Sequence, residues 1–403
     1  MRVARILRLI RVRFGLASFW IGALGAAAWL AGCSGDGRPN GRLRRIAGPH
    51  PPREGIYVRA RTIGTLRLPG RARSLVLRGD VLYAFLNFRG LTTIDVSDPA
   101  RPRAVSHLPA VPPDDPLKHP YYFDGLPEGD RMVVIERTSG LTVMDISDPS
   151  RPRVQWSLGL GGLLPAYLTR VGGTYYLSAG GGGLFSLPAD FDQASQPRPV
   201  LTDYDHVKVS VALPPHHLLV ADNHRGGMKV LDVSDPARPR LISQFIADSF
   251  CDAVELVGRT AVMQVRRTGL LFVNVDDPAR PYLAGMFPTR EQSMIKAMAR
   301  LGESRLLAGY NSGTIDVIDL TDPTDALWLG RLLAPTGVMS LTARDDLIFV
   351  GLARQPSDDP DSTGYQLAIL RLEEVPRPQN EIPKSIPQSE PGSESTLAGR
   401  SSR

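Results

Sequence analysis

The chain has 403 residues, 42% of them hydrophobic and 22% charged, with 39 Gly, 35 Pro and two Cys. That length and apolar share can bury a large core, and the Gly and Pro content favours turns and short strands over long helices. The formal charge of +6 is misleading: five of the 47 Lys and Arg (Arg2, Arg5, Arg8, Arg11, Arg13) lie in a leading segment without an acid, leaving 42 against 41 acidic residues and excluding a nucleic-acid footprint.

In chain order, those arginines form a basic region before the uncharged run Phe14 to Ala31, which ends in Leu30-Ala31-Gly32-Cys33. This phrase resembles the lipobox of bacterial lipoproteins. The resemblance implies a signal peptide over 1–32, cleavage before Cys33 and acylation of its thiol. Several acyl chains give stable anchoring to a bilayer. Ser34, rather than an aspartate, follows the cysteine, which points to the outer membrane of a bacterial cell envelope. The alternative is an uncleaved anchor, since the apolar run is nearly long enough to span a membrane. A lipidated Cys33 leaves Cys251 without a disulfide partner, so Cys251 is expected to be a buried small apolar residue.

Residues 33–55 read as a flexible Gly/Arg/Pro-rich tether. A periodic region then begins. Asp98-Pro99-Ala100-Arg101-Pro102 recurs as Asp148-Pro149-Ser150-Arg151-Pro152, Asp235-Pro236-Ala237-Arg238-Pro239 and Asp277-Pro278-Ala279-Arg280-Pro281, with a partial copy at Asp322-Pro323. An apolar run precedes each one. Gly183 to Pro188 fills the double gap between the second and third copies, and Tyr365 to Leu372 ends the series without Asp-Pro. Seven units result. Each holds four strand candidates, which in the first are Ala72 to Arg78, Val81 to Asn87, Leu91 to Ser97 and Arg103 to Leu108. The third is apolar at adjacent positions, as a sheet covered on both faces requires. Asp-Pro suits a type I turn, so the repeated Asp is read as structural.

A period of this length with short strands points to a propeller, in which each unit needs neighbours to bury its faces. The phrase, with Val143-Met144-Asp145-Ile146 and Val230-Leu231-Asp232-Val233, resembles the LVIVD repeat, a propeller-forming motif of bacterial surface and exported proteins. The expected fold is all-β: a seven-bladed propeller over 56–374, of four-stranded antiparallel blades. By analogy with related propellers the strand after Asp-Pro is outermost, and the last unit lacks one. Thr62 to Leu68 is therefore expected to complete it and close the ring, removing exposed edges. Residues 375–403, rich in Pro, Ser and Glu, are expected to be disordered.

In such a propeller the loops entering each first strand and those joining strands two and three share one face. Candidate ligand-binding residues there are Tyr122, Asp124, Arg137, Asp205, His206, Asp222, His224, Arg225 and Arg267. The same loops carry Tyr121, Glu136, Asp203, Asn223, Asp248, Asp252, Arg266, Lys296, Tyr310 and Asn311. His216 and His217 fall at the Pro214-Pro215 turn, on the opposite face. No phosphate-cradling loop, nucleophile elbow or zinc-protease helix is present in the sequence, and no cofactor is expected. The expected function is a non-enzymatic binding or scaffold module, holding a protein, glycan or small ligand on the loop face. The alternative is a propeller lyase or hydrolase, with or without a divalent metal, using His206, Asp222, His224 and Arg225.

Overall fold

A computed structural model describes residues 56–110, 121–136, 140–202, 206–223, 226–247, 249–288, 294–354 and 364–376. The leading segment, Cys33, the tether and residues 377–403 lie outside the described residues. The periodic region forms seven four-stranded antiparallel sheets. The first strand, β1 (Ile56–Leu68), belongs to the last sheet. Blade 1 is β2 (Ser74–Arg78), β3 (Val81–Phe85), β4 (Leu91–Asp95) and β5 (Arg103–Leu108); blade 2 is β6 (Tyr122–Glu128), β7 (Arg131–Glu136), β8 (Gly140–Asp145) and β9 (Arg153–Gly159). Blade 3 is β10 (Tyr167–Val171), β11 (Thr174–Ser178), β12 (Leu184–Pro188) and β13 (Arg198–Leu201); blade 4 is β14 (Val207–Leu213), β15 (His217–Asp222), β16 (Gly227–Asp232) and β17 (Arg240–Ile246). Blade 5 is β18 (Cys251–Val257), β19 (Thr260–Val265), β20 (Gly269–Asn274) and β21 (Tyr282–Pro288); blade 6 is β22 (Ile295–Leu301), β23 (Arg305–Tyr310), β24 (Thr314–Asp319) and β25 (Leu327–Leu333). Blade 7 runs β26 (Val338–Arg344), β27 (Leu347–Leu352), β28 (Tyr365–Pro376) and then β1.

The first strands β2, β6, β10, β14, β18, β22 and β26 touch in succession, and β26 touches β2. The ring is therefore closed, with the first strand of each blade innermost. The degenerate unit around Gly183 forms an ordinary blade despite losing Asp-Pro. The second and third strands are buried almost throughout, whereas outer strands such as β5 are mostly exposed. That gradient is what stacking blades face to face produces. Each apolar face is covered by the next sheet, and only the rim meets water.

The repeated phrase has two structural jobs. The Asp98 carboxylate accepts from Ala100 N–H at 3.1 Å while its carbonyl accepts from Arg101 N–H at 2.9 Å, and Asp148, Asp235, Asp277 and Asp322 cap their turns in the same way. The Asp that ends β4, β8, β16 and β24 works similarly: Asp95 accepts from both Ser97 Oγ–H and Ser97 N–H, which with Arg103 holds its carboxyl down at about 2. The second job is docking between blades. A Cβ on Gly64 would meet the Pro99 carbonyl oxygen at 2.2 Å, one on Gly285 would meet that of Pro323 at 2.5 Å, and Ser243 Oγ–H donates to that of Pro278 at 2.5 Å. These three turns thus press their proline carbonyls onto the outer strand of the preceding blade. A glycine or serine must stand there to receive each one.

Closure uses more chain than Thr62 to Leu68. β1 pairs with β28 from Ile56↔Pro376 to Leu68↔Tyr365, with a bulge at Thr62/Gly64. The added pairing is held by Val58, buried in the core that blades 6 and 7 share, and by Arg59 and Arg61 on Glu373 at 3.1 and 2.9 Å. Cys251 is a free thiol fully buried between blades 4 and 5.

Candidate functional site

In a blade of four antiparallel strands, the connections between strands one and two and between three and four lie at one end. Those between two and three, and from four to the next blade, lie at the other. The Asp-Pro turns and the Pro214 to His216 turn therefore share a turn face. The opposite, loop face gathers the sequence-derived candidates. Arg137, Asp203, Asp205, His224, Arg225 and Asp248 lie outside the described residues.

On blades 4 and 5 the loop face is an ion-pair network centred on Asp252. Its carboxylate accepts from Lys208 Nζ at 2.5 Å, from Arg266 Nε and Nη2 at 2.6 and 2.9 Å, and from Asn223 Nδ2 at 3.2 Å. Burial works against its charge, but the Arg266 and Lys208 contacts outweigh it and keep the carboxyl below its ordinary value. Arg266 also lies over the Phe250 ring, 5.4 Å from its centroid. Beneath this network Asp222, 1% exposed, accepts from Lys229 Nζ at 2.9 Å. Asp222 is thus neutralised inside blade 4. His206 is exposed, with its ring beside Gly180 and Gly181, and Arg267 sits at φ 64° in an exposed turn.

Blades 1 to 3 carry a different surface. Phe88, Tyr121, Phe123 and Tyr167 form a chain of rings with centroids 4.6, 5.8 and 6.2 Å apart, and the Arg73 guanidinium stands 4.3 Å over Phe123. Asp124 is half-buried beside it and accepts from Ser74 Oγ–H at 2.7 Å and Gly125 N–H at 2.9 Å. Burial nevertheless raises its carboxyl, with the two donors and Arg73 opposing. Tyr122 points the other way. It is 5% exposed and packs in the blade core with Tyr83, Phe85 and Met132, where burial and then the Glu136 charge push its phenol up to about 12. The cause is a bulge at Phe123, which displaces the inward and outward alternation of β6 by one residue.

Of the remaining loop-face residues, Tyr310 is buried against Asp316, which Arg331 and Trp328 hold at 2.7 and 3.1 Å; Asn311 accepts from Met294 N–H at 3.0 Å; Lys296 is exposed. Among the described residues no three His, Cys, Asp or Glu side chains gather in a metal-holding group.

Two shallow clefts differ in charge. One, of about 500 Å³ on the loop face between blades 7 and 1, is lined by Arg71, Asn87, Phe88, Arg89, Arg354 and Tyr365 among others. The other, of about 450 Å³ on the turn face between blades 6 and 7, is lined by Glu303, Asp345, Asp346 and Glu374 with Arg305. None of the three loop-face arginines was identified from sequence. Exposed large apolar side chains are also unevenly placed. Among the described residues Phe88, Leu164, Phe250 and Met294 stand in loop-face loops, the others lie on outer strands, and no turn-face turn carries one.

The sequence profile of the LVIVD repeat matches residues 69–107, 134–157 and 210–246. The chain carries LVIVD repeats. The first match spans blade 1, the second the middle of blade 2 and the third most of blade 4; the other LVIVD-propeller blades share the same strand order. No curated protein matches the chain. Among solved structures it is similar to Raptor of Chaetomium thermophilum, with TM-score 0.62 and 11% identity over 80% of this chain and 30% of that one. The chain therefore spans under a third of the Raptor chain's length. It is similar to the WD40 repeats of RRP9, with TM-score 0.59 and 12% identity over 78% and 97% of the two chains. It also resembles Sqt1 of Saccharomyces cerevisiae, with TM-score 0.52 and 8% identity over 74% and 83%. At such identities the likeness is one of fold.

Proposed function

We propose that this LVIVD propeller is a non-enzymatic binding or scaffold module that presents its loop face to a protein, glycan or small-molecule partner. We further propose that an acylated Cys33 holds it on the outer membrane of a bacterial envelope. The observation that carries the binding reading is the asymmetry of exposed apolar side chains. Loops that display Phe88, Leu164, Phe250 and Met294 lose water-exposed apolar surface on docking, and the turn face has no counterpart. Enzymatic use of the same face is disfavoured by the state of its acids. Asp222 is paired with the buried Lys229 and Asp252 is held by three side chains, so both carboxylates are already engaged within the protein.

The test is site-specific photo-crosslinking of the full chain in native envelopes, with the crosslinker at Phe250 or Met294 and, as control, at Tyr282 on an outer strand. A discrete adduct from the two loop-face positions and none from Tyr282 is expected. Equal labelling from all three would overturn the face assignment. For the anchor, growth with a palmitate analogue should label the protein and Cys33→Ala should abolish that label. An unlabelled wild-type chain retaining residues 1 to 32 would remove the envelope reading.

A further inference from the structure

We propose that the loop-face cleft at the ring closure binds an anionic sugar, a hexose carrying a phosphate or a carboxylate. The proposal rests on the loop face being the binding face and names the chemistry of one ligand there. Both ends of the ring build the cleft. Pro69, Gly70 and Arg71 follow the closing strand β1, Leu86 to Arg89 turn blade 1, and Arg354 and Tyr365 belong to blade 7. Its volume of about 500 Å³ suits a hexose-sized ligand and is within the range of small-molecule sites.

Three kinds of group converge on it. Arg71, Arg89 and Arg354 bring three guanidinium groups, while among the described residues no carboxylate lines the cleft or pairs with them. Guanidinium forks bind phosphate and carboxylate oxygens through paired N–H donors, so the site selects an anion. Asn87 brings an acceptor. It stands in the left-handed region at φ 56°, and its Oδ1 is buried without a hydrogen-bond partner. That oxygen has no accessible surface, so it meets a ligand only once the amide turns outward, and a sugar hydroxyl can then donate to it. Phe88 and Tyr365 bring ring walls. Phe88, 60% exposed, is braced edge-on by Tyr121, and such rings accept the apolar C–H face of a pyranose. A bare anion would leave the rings unused.

Arg89 is set in place by its neighbour. A Cβ on Gly70 would meet Arg89 Cγ at 2.7 Å, so the guanidinium stem lies directly over the glycine. Gly70→Ala should therefore shift Arg89 while leaving all three charges in the protein.

The experiment is calorimetric titration of the full chain at low ionic strength with glucose 6-phosphate, glucuronate, inorganic phosphate and glucose. At least one of the two anionic sugars should bind, about tenfold or more tighter than phosphate, with no detectable glucose binding. Which one binds assigns the anion. The double variant Arg89→Ala/Arg354→Ala should lose about tenfold or more, Asn87→Gly should bring the sugar anion down to the level of phosphate, and Gly70→Ala should weaken binding. A ligand that joins both ends of the ring should also raise the melting temperature as its concentration grows. The proposal fails if neither sugar anion binds, if phosphate binds as tightly, or if the arginine variants bind like wild type. Failure here with loop-face crosslinks intact at Phe250 and Met294 sinks the sugar site alone. Loss of those crosslinks with sugar binding retained sinks the protein partner alone.

Discussion

Gly64→Ala tests the docking of one blade's turn on the strand before it. The added Cβ would stand 2.2 Å from the Pro99 carbonyl oxygen and 3.0 Å from Pro102 Cδ, both fixed in the first Asp-Pro turn. A carbon and a carbonyl oxygen rest at about 3.3 Å or more, so strand and turn must part by about 1 Å. Overpacking of this kind costs about 1–3 kcal/mol. For a ring of this size the melting temperature should fall by roughly 1.5–5 °C. The control is Gly159→Ala on the outer strand of blade 2, where a Cβ meets nothing within 4 Å. Both substitutions reduce unfolded-chain freedom equally, so Gly159→Ala should be neutral or stabilising by up to ~1 kcal/mol. Thermal unfolding of the two variants beside the wild type measures the difference. Equal melting temperatures for the pair would refute the docking role of the proline carbonyl.

Lys229→Met removes the buried ammonium that pairs with Asp222 at 2.9 Å and should cost up to about 3–5 kcal/mol in denaturant titration, and an unchanged midpoint would refute the pairing. Burial raises the Glu255 carboxyl to about 7, well above its unfolded value, with the Leu256 N–H and the Arg300 charge only partly offsetting this. The folded state then holds a proton that the unfolded chain gives up, so stability declines as pH rises from about 4.5 towards 7. Glu255→Gln should accordingly gain up to ~3 kcal/mol over wild type at pH 8 and little at pH 4, and a gain independent of pH would refute the assignment. Burial pushes the Cys251 thiol up to about 12, so the native protein should resist alkylation at pH 8 and react once unfolded; rapid native labelling would contradict its placement between blades 4 and 5.

The architecture was legible because its signal repeats in register. Asp98, Asp148, Asp235, Asp277 and Asp322 cap the same turn in blades 1, 2, 4, 5 and 6, and spacing alone located blade 3 around Gly183, which lacks the phrase. The missing outer strand of the last unit pointed to β1, although its reach back to Ile56 depended on Val58 and Glu373, which no periodicity announces. The loop face was legible only as a set of connections. Tyr122 was misplaced because the bulge at Phe123 reverses alternation at one position, which composition does not reveal. Asp222 read as an available acid, but its cation, Lys229, sits across the hairpin and is itself buried. Arg71 and Arg354 come from opposite ends of the ring, and only closure makes them neighbours.

Closure also fixes a direction. β1 enters at Ile56 opposite Pro376 and both strands run together to Leu68 and Tyr365, so the described chain starts and stops beside the Asp-Pro turns and reaches the loops only at the far end of the hairpin. A leash attached at Ile56 therefore pulls on the turn side. The aromatic and arginine-bearing loops lie at the other end of the ring from that point of attachment.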